Sequence, residues 1–89
     1  MPDLLIIIPA LNEAGHLPFL LEDLAHLDVP HRVVVADGGS RDRTPAVARA
    51  GGAEVLSAPR GRARQMNAAA DAADAPWLLF LHADVRLPA

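Results

Sequence analysis

The 89-residue sequence predicts an α/β fold in which strands and helices alternate in the order βαβαβαβ. Short apolar runs without polar alternation recur along the chain, as expected for strands that are buried on both faces. Between these runs, apolar residues follow helical spacing, and the connections are short. The order implies right-handed crossovers and a Rossmann-like, mostly parallel sheet with helices on both faces.

The first strand is predicted over residues 4–8, an aliphatic run of leucine and isoleucine that Pro9 stops. Leucines at helical spacing then predict a helix over roughly residues 17–27, with Pro18 in its first turn, where proline is tolerated. Three successive valines within residues 32–36 predict the second strand, which the sequence "DGGS" ends.

In the second half of the chain, Thr44 is predicted to cap a short helix that begins at Pro45 and stops at the glycine pair 51–52. A weaker third strand follows over residues 53–57. An alanine-rich helix is predicted over about residues 62–75, and Pro76 then precedes the fourth strand, residues 77–81.

The composition, with 52% hydrophobic and 21% charged residues, indicates one small globular domain with marginal stability. A net charge of −3 argues against a nucleic-acid-binding surface. The absence of cysteine excludes disulfides and thiolate chemistry. The first apolar run is too short to span a membrane and has an acidic residue where a secretory signal carries positive charge, so we expect a soluble, cytoplasmic protein.

Polar residues lie at or just beyond the ends of three of the four predicted strands, and ligands of parallel sheets bind at the carboxyl ends of the strands. They are Asn12 and Glu13, then Asp37, then His82 and Asp84. In an extended segment, His82 and Asp84 would point to the same side and could share a divalent cation, with Mn²⁺ suited to this mixed pair. The alternative is that Asp84 only caps a turn.

Two further segments suggest anion binding. Gly38 and Gly39 follow a buried strand, where they would allow the backbone to approach a ligand closely, although an ordinary strand-to-helix turn explains them as well. Arg60, Arg62 and Arg64 precede or begin the third helix, an unfavourable position for cations unless an anion binds there. Solvated arginines are the alternative.

Two known phosphate-binding signatures are missing. The sequence contains neither G-x-G-x-x-G after the first strand nor G-x-x-x-x-G-K-[ST] at any position. A dinucleotide-dependent dehydrogenase and a P-loop nucleotidase are therefore disfavoured.

Taken in order, "IIIPALNEAGHLPFLLEDL", "VVVADGGSRDRT", "GRARQMNAAADAA" and "WLLFLHADVRLP" resemble the nucleotide-binding half of family 2 glycosyltransferases, which have the GT-A fold. The motif variants "DGGS", "GRARQMN" and "LHAD" are most similar to those of a bacterial subgroup associated with arsenosugar biosynthesis. The resemblance implies an enzyme that binds a nucleoside diphosphate sugar, with a UDP-sugar expected, together with Mn²⁺ or Mg²⁺.

The resemblance also implies the site residues. The segment after the first strand and the turn after the second would contact the base and ribose, Arg62 would lie near the diphosphate, and Asn67 would help to shape the site. The family's D-x-D motif, which holds ribose and the metal-bound diphosphate, falls on residues 82–84, with Asp84 and His82 as metal ligands. The implied set is Pro9, Ala10, Asn12, Glu13, Asp37, Gly38, Gly39, Arg62, Asn67, His82, Ala83 and Asp84.

Two departures from the family pattern affect these expectations. The usual paired aspartates of the second motif are Asp37 and Gly38 here, so one carboxylate that commonly contacts uracil is absent. The first aspartate of D-x-D is His82, which leaves Asp84 as the remaining carboxylate for the metal.

We expect residues 1–89 to be the donor-binding half of a glycosyltransferase domain, truncated at its C-terminus and inefficient in transfer by itself. The acceptor site and the general base are expected beyond Ala89, so no catalytic residue is assigned within the chain. The implied reaction is inverting displacement at the anomeric carbon. The fourth strand is apolar without alternation, so both of its faces need cover, and a missing partner domain would expose them. We therefore also expect marginal stability or self-association.

The alternative from another functional class is a non-catalytic nucleotide-binding or interaction module with the same doubly wound fold. A nucleotidyltransferase is disfavoured, because "PALNEAG" stands where that class has a loop rich in glycine and arginine.

Overall fold

The computed structural model describes residues 2–88 and confirms the α/β order. Strands and helices alternate along the described chain: β1 Leu4–Ala10, α1 Leu17–Ala25, β2 His31–Asp37, α2 Thr44–Ala50, β3 Glu54–Ser57, α3 Arg62–Ala72 and β4 Trp77–Phe80. Met1 and Ala89 lie outside the described residues. The expectation of a general base beyond Ala89 concerns positions outside the given sequence and stays a prediction.

The four strands form one parallel sheet in the order β3-β2-β1-β4, so β1 lies in the centre. Alternate residues of a strand point to opposite faces. Ile6 and Ile8 accordingly pack in the same buried cluster as the leucines of α1 and Ala48 of α2. Leu5 and Ile7 pack with Ala69 of α3 on the other face. The continuous aliphatic run of β1 therefore serves two hydrophobic layers.

The expectation that Pro9 stops the first strand is wrong, because β1 continues through Pro9 to Ala10. The Ile7 carbonyl accepts a hydrogen bond from Leu81 N, so the backbone of residues 7 and 9 faces β4, whose strand pairing ends at Phe80. Pro9 has no N–H to donate, but β4 offers no paired residue opposite Pro9 that would need this hydrogen bond. The strand therefore accommodates the proline without losing a hydrogen bond.

Several predicted boundaries shift by one to three residues. Helix α1 ends at Ala25 rather than residue 27, and α3 ends at Ala72 rather than residue 75. Strand β2 gains a residue at each end, whereas β3 starts one residue later and β4 ends one residue earlier than predicted. Periodicity fixes the centre of an element better than its ends, where local hydrogen bonds decide.

After β4 the chain turns back over the face covered by α1. Val85 and Leu87 pack against the core cluster on this face. Arg86 donates two hydrogen bonds to Asp23 of α1, from Nε at 2.8 Å and Nη2 at 3.0 Å, and its guanidinium lies 5.2 Å from the centre of the Phe19 ring. These contacts fasten residues 81–88 to α1.

Strand β4 forms one edge of the described sheet, and all four of its side chains are exposed. Trp77 is 69% exposed, and Leu79 and Phe80 are 42% and 43% exposed. This apolar strip has no polar alternation, in contrast to what a solvated edge strand normally shows.

The longest helix within residues 2–88 has 11 residues, and none of the helices there combines the length and apolar character needed to cross a bilayer.

The attachment of the C-terminal segment predicts a specific acid sensitivity. Hydrogen bonds from the Arg86 side chain and from the Leu87 backbone lower the pKa of Asp23 from its usual 3.8 to about 2. A carboxylate with a lowered pKa stabilises the folded state above its unfolded pKa, and this contribution is lost as the pH falls through the folded value. We expect Asp23→Asn to lower the melting temperature at neutral pH, with the difference from wild type shrinking as the pH falls from about 4 to about 2.

Thermal melts across this pH range measure the effect. Asp71→Asn is the control, because it neutralises an exposed carboxylate on α3, away from the Asp23–Arg86 pair. Equal acid dependence in the two variants would contradict the assignment.

Candidate functional site

The carboxyl ends of β1 and β2 and the N-terminus of α3 meet on one side of the sheet. A cavity of about 250 Å³ lies between the end of β1 and the N-terminal part of α3. Its lining comes from the end of β1, the loop that follows it and the start of α3: Pro9, Ala10, Leu11, Glu13, Arg60, Gly61, Arg62 and Gln65. The structure thus brings together residues from the first and third sequence motifs.

The loops after β1 and β2 are tied to each other by hydrogen bonds. Asn12 has a φ of 55°, and its backbone N–H donates to Ser40 Oγ at 2.9 Å while its side-chain Oδ1 accepts from Arg41 N at 2.8 Å. Asparagine tolerates this left-handed conformation better than most residues. Asn12 therefore orders the two loops, in addition to any contact with a ligand.

Asp37, at the end of β2, is buried and is bonded within its own loop. Its Oδ2 accepts from Gly39 N at 3.3 Å and from Ser40 N at 3.1 Å, and its Oδ1 accepts from the Ser40 hydroxyl. Gly39 has a φ of 93°, which glycine adopts without strain. The glycine at position 39 serves the turn that Asp37 organises.

The prediction that Thr44 caps α2 is wrong. Thr44 is itself the first residue of the helix, and its hydroxyl donates to Asp42 and accepts from the backbone N–H of Glu13. Asp42 also accepts from Thr44 N, the first N–H of the helix, at 2.9 Å, and from Ala14 N at 3.2 Å. The hydrogen bond from the Thr44 hydroxyl, followed by those from backbone N–H groups, lowers the pKa of Asp42.

Gln65 is the central residue of the site that the sequence analysis missed. It is 3% exposed, and its Nε2 donates to the carbonyls of Ala10 and Ala36, each at 2.9 Å. Its Oε1 accepts from Gly61 N at 3.1 Å. The signal available in the sequence was a single amide on the buried face of an alanine-rich helix, four residues after a glycine.

The two arginines that line the cavity are exposed, as expected of groups at its mouth. Arg64 does not line the cavity. Asn67 is exposed and also lies outside the lining, because helical spacing places it on the side of α3 opposite Gln65 and Ala69. The position of Asn67 gives no support to its predicted role.

His82, Ala83 and Asp84 do not continue the extended strand. Strand β4 ends at Phe80, and Val85 N donates to the His82 carbonyl at 3.1 Å, which closes a turn. The strand-like spacing argument for His82 and Asp84 is therefore wrong. Both side chains are exposed, whereas Ala83 is buried against the core.

The donor set of this turn suits a borderline divalent cation, since it offers one imidazole and one carboxylate. Within residues 2–88, no group of three or more histidine, cysteine, aspartate or glutamate side chains lies close enough to hold a metal ion. A cation bound at this turn would need its other ligands from water or from a ligand such as a diphosphate.

Comparison with known proteins decides the family. The family model described as glycosyl transferase family 2 matches residues 5–89. The chain belongs to this family.

Among curated proteins, the succinoglycan biosynthesis protein ExoA of Rhizobium meliloti (strain 1021) is 53% identical over 47 residues, which are 51% of this chain and 14% of that protein. The matched part of the chain therefore spans about one seventh of the length of that relative.

Two solved structures have the same fold as this chain. The mannosyltransferase PcManGT from Pyrobaculum calidifontis, in complex with GDP-Man and Mn²⁺, is 28% identical with a TM-score of 0.87 over 99% of this chain and 29% of its own. TarS of S. aureus is 28% identical with a TM-score of 0.81 over 94% of this chain and 17% of its own.

The structure gives a physical reason for the glycine at position 38, where the resemblance led us to expect an aspartate. A Cβ atom built on Gly38 would lie 2.7 Å from Gln65 Oε1 and 2.8 Å from Gln65 Cδ. Such distances are too short for a carbon atom, so the Gln65 side chain, which three hydrogen bonds hold in place, would have to shift to admit a side chain at position 38. The glycine and the buried glutamine thus depend on each other.

This packing predicts that Gly38→Ala destabilises the chain by about 1–3 kcal/mol, the usual cost of overpacking. Gly15→Ala is the matched control, because a Cβ atom at position 15 has no neighbour within 4 Å. Denaturant unfolding of both variants measures the difference. In a Gln65→Ala background, Gly38→Ala should cost clearly less, and an unchanged penalty there would contradict the proposed clash.

Proposed function

We propose that this chain forms the donor-binding part of a family 2 glycosyltransferase and binds a nucleoside diphosphate sugar together with Mn²⁺ or Mg²⁺. The observation that carries the proposal is the cavity at the carboxyl end of β1, with Arg60 and Arg62 at its mouth. The fold similarity to a mannosyltransferase that holds GDP-Man and Mn²⁺ supports it.

The nucleoside is assigned to the ends of β1 and β2. Pro9, Ala10 and Glu13 line the cavity, and Asn12 joins their loop to the segment that follows Gly38 and Gly39. The carboxylate of Asp37 already accepts three hydrogen bonds inside its loop. A carboxylate has about four lone-pair sites, so Asp37 retains one for the base or ribose.

The diphosphate is assigned to the segment before and at the start of α3. A guanidinium offers paired N–H donors that match phosphate oxygens, and a helix N-terminus favours negative charge. Arg62 is the first residue of α3 and lines the cavity, so both effects act at the same place.

His82 and Asp84 would hold the metal, and diphosphate oxygens would supply further ligands. A bound divalent cation would stabilise the departing diphosphate as a Lewis acid.

The proposed transfer is an inverting displacement at the anomeric carbon by an acceptor hydroxyl. Such a reaction needs a general base to deprotonate the acceptor. We assign no general base among residues 2–88 and place it, as a proposal, beyond Ala89. Residues 1–89 alone are therefore proposed not to transfer sugar efficiently.

Arg62→Ala should weaken the binding of UDP or GDP by about 1.5–3 kcal/mol, the range for a hydrogen bond to a charged group. The affinity for uridine or guanosine should change little, because a nucleoside lacks the phosphate oxygens that the Arg62 guanidinium is proposed to bind. Isothermal calorimetry with each nucleotide and its nucleoside measures both effects. Arg64→Ala is the control. If Arg64→Ala weakens nucleotide binding and Arg62→Ala does not, the assignment of Arg62 to the diphosphate is wrong.

Metal binding should depend on the nucleotide, because His82 and Asp84 supply only two ligands. We expect weak Mn²⁺ binding to the free chain and clearly tighter binding in the presence of UDP or GDP, with the gain reduced by Asp84→Ala and His82→Ala. Calorimetry with and without nucleotide tests this, and Asp28→Ala serves as a control for the loss of an exposed carboxylate. Equally tight Mn²⁺ binding without nucleotide would refute the assignment.

We also propose that the chain self-associates through the exposed strip of β4, because an uncharged, apolar edge strand pairs readily with another strand. Leu79→Lys should shift the sedimentation profile towards monomer. Ala46→Lys adds the same charge on α2, which packs against β2 and β3 rather than β4, and should leave association unchanged. A monodisperse wild-type monomer at all concentrations would exclude this proposal.

A further inference from the structure

The three hydrogen bonds of the Gln65 side chain reach three separate parts of the site. Ala10 ends β1, Ala36 precedes Asp37 on β2, and Gly61 precedes α3. Gln65 therefore joins the ends of both central strands to the segment that carries the arginines.

Only an amide of this length satisfies all three partners. The two strand carbonyls need donors, and the Gly61 N–H needs an acceptor. A glutamate would set a carboxylate oxygen against two carbonyl oxygens, and a methionine would fill the space without any of the bonds. Within residues 2–88, no buried side-chain nitrogen or oxygen lacks a hydrogen-bond partner, so the arrangement is fully satisfied.

The bond to Gly61 fixes the geometry of the arginine segment. Gly61 has a φ of 131° and lies between Arg60 and Arg62, and its carbonyl accepts from Gln65 N at 2.8 Å. The same residue thus binds Gly61 through its side chain and through its backbone. This double attachment sets the position of the α3 N-terminus relative to the strand ends. It therefore also sets the backbone positions from which the Arg60 and Arg62 side chains extend.

We propose that Gln65 is a positioning residue: it holds the segment of Arg60, Gly61 and Arg62 at a fixed place beside the carboxyl ends of β1 and β2, so that a diphosphate meets Arg62 in one geometry. This inference rests on the proposed function for the role of Arg62. Gln65 itself acts through Gly61 and Arg62 and not through a contact of its own with the ligand.

A double-mutant cycle in the 89-residue chain tests the proposal, with UDP and uridine as probes. Gln65→Met keeps the length of the side chain and removes its hydrogen bonds. We expect this variant to weaken UDP binding by at least about fivefold, the factor for one hydrogen bond, with uridine affinity changed less than about twofold. In an Arg62→Ala background, the effect of Gln65→Met on UDP should disappear.

Two outcomes of the cycle would overturn the proposal. An equal loss of UDP and uridine affinity would mean that Gln65 only supports the fold. Additive losses from Gln65→Met and Arg62→Ala would mean that the two residues act independently. Where Gln65→Met does not fold, Gln65→Ala replaces it in the same cycle.

A second measurement separates this proposal from the proposed function. Hydrogen exchange of the Gly61 amide in the chain without nucleotide should become at least about tenfold faster in Gln65→Met, because the amide loses its acceptor. The Ala58 amide, which donates to the Asp37 carbonyl, is the internal reference. If the wild-type chain binds neither UDP nor GDP, the proposed function fails. Unchanged Gly61 exchange would overturn the positioning role independently.

Discussion

The parallel pairing of β1 with both of its neighbours is the constraint on which the rest of the structure depends. Every residue of β1 from Leu5 to Ala10 is buried, and the strand contributes to the hydrophobic layers on both faces of the sheet. Because β2 and β4 run in the same direction, the segments that follow all three strands emerge on one side. The site is therefore a consequence of strand direction, before any of its side chains is considered.

The strand ends become a shaped site through short polar contacts and not through an additional element. Three side chains of the loops mainly bind neighbouring backbone groups, namely those of Asn12, Asp37 and Asp42. Gln65 of α3 in turn binds the backbone at the end of β1. Such loops are pre-organised, so little conformational entropy remains to be lost when a ligand binds. The arginines at the cavity mouth and the pair His82 and Asp84 are exposed, where a charged ligand can reach them.

The covered and uncovered parts of the sheet differ in a way that matters for stability. On the β1 and β2 side, helices and the returning C-terminal segment bury the aliphatic side chains, and the Asp23 to Arg86 pair holds that segment to α1. Strand β4 has an equally apolar sequence and yet stays exposed at the edge. A buried strand and an exposed strip thus share one sequence pattern, and only the position in the sheet distinguishes them.

The sequence alone determined the order of elements and the family, because apolar runs, helical leucine spacing and four ordered motifs are local features that need no tertiary contact. It also identified Pro9, Ala10, Glu13 and Arg62, which do line one cavity. Only the tertiary structure decided that Thr44 bridges two loops, that residues 82–85 form a turn, and that the Gln65 side chain packs directly against Gly38. The hydrogen bonds of Thr44 and Gln65 join residues up to 55 positions apart in the sequence. Contacts over such separations cannot be predicted from a local sequence pattern.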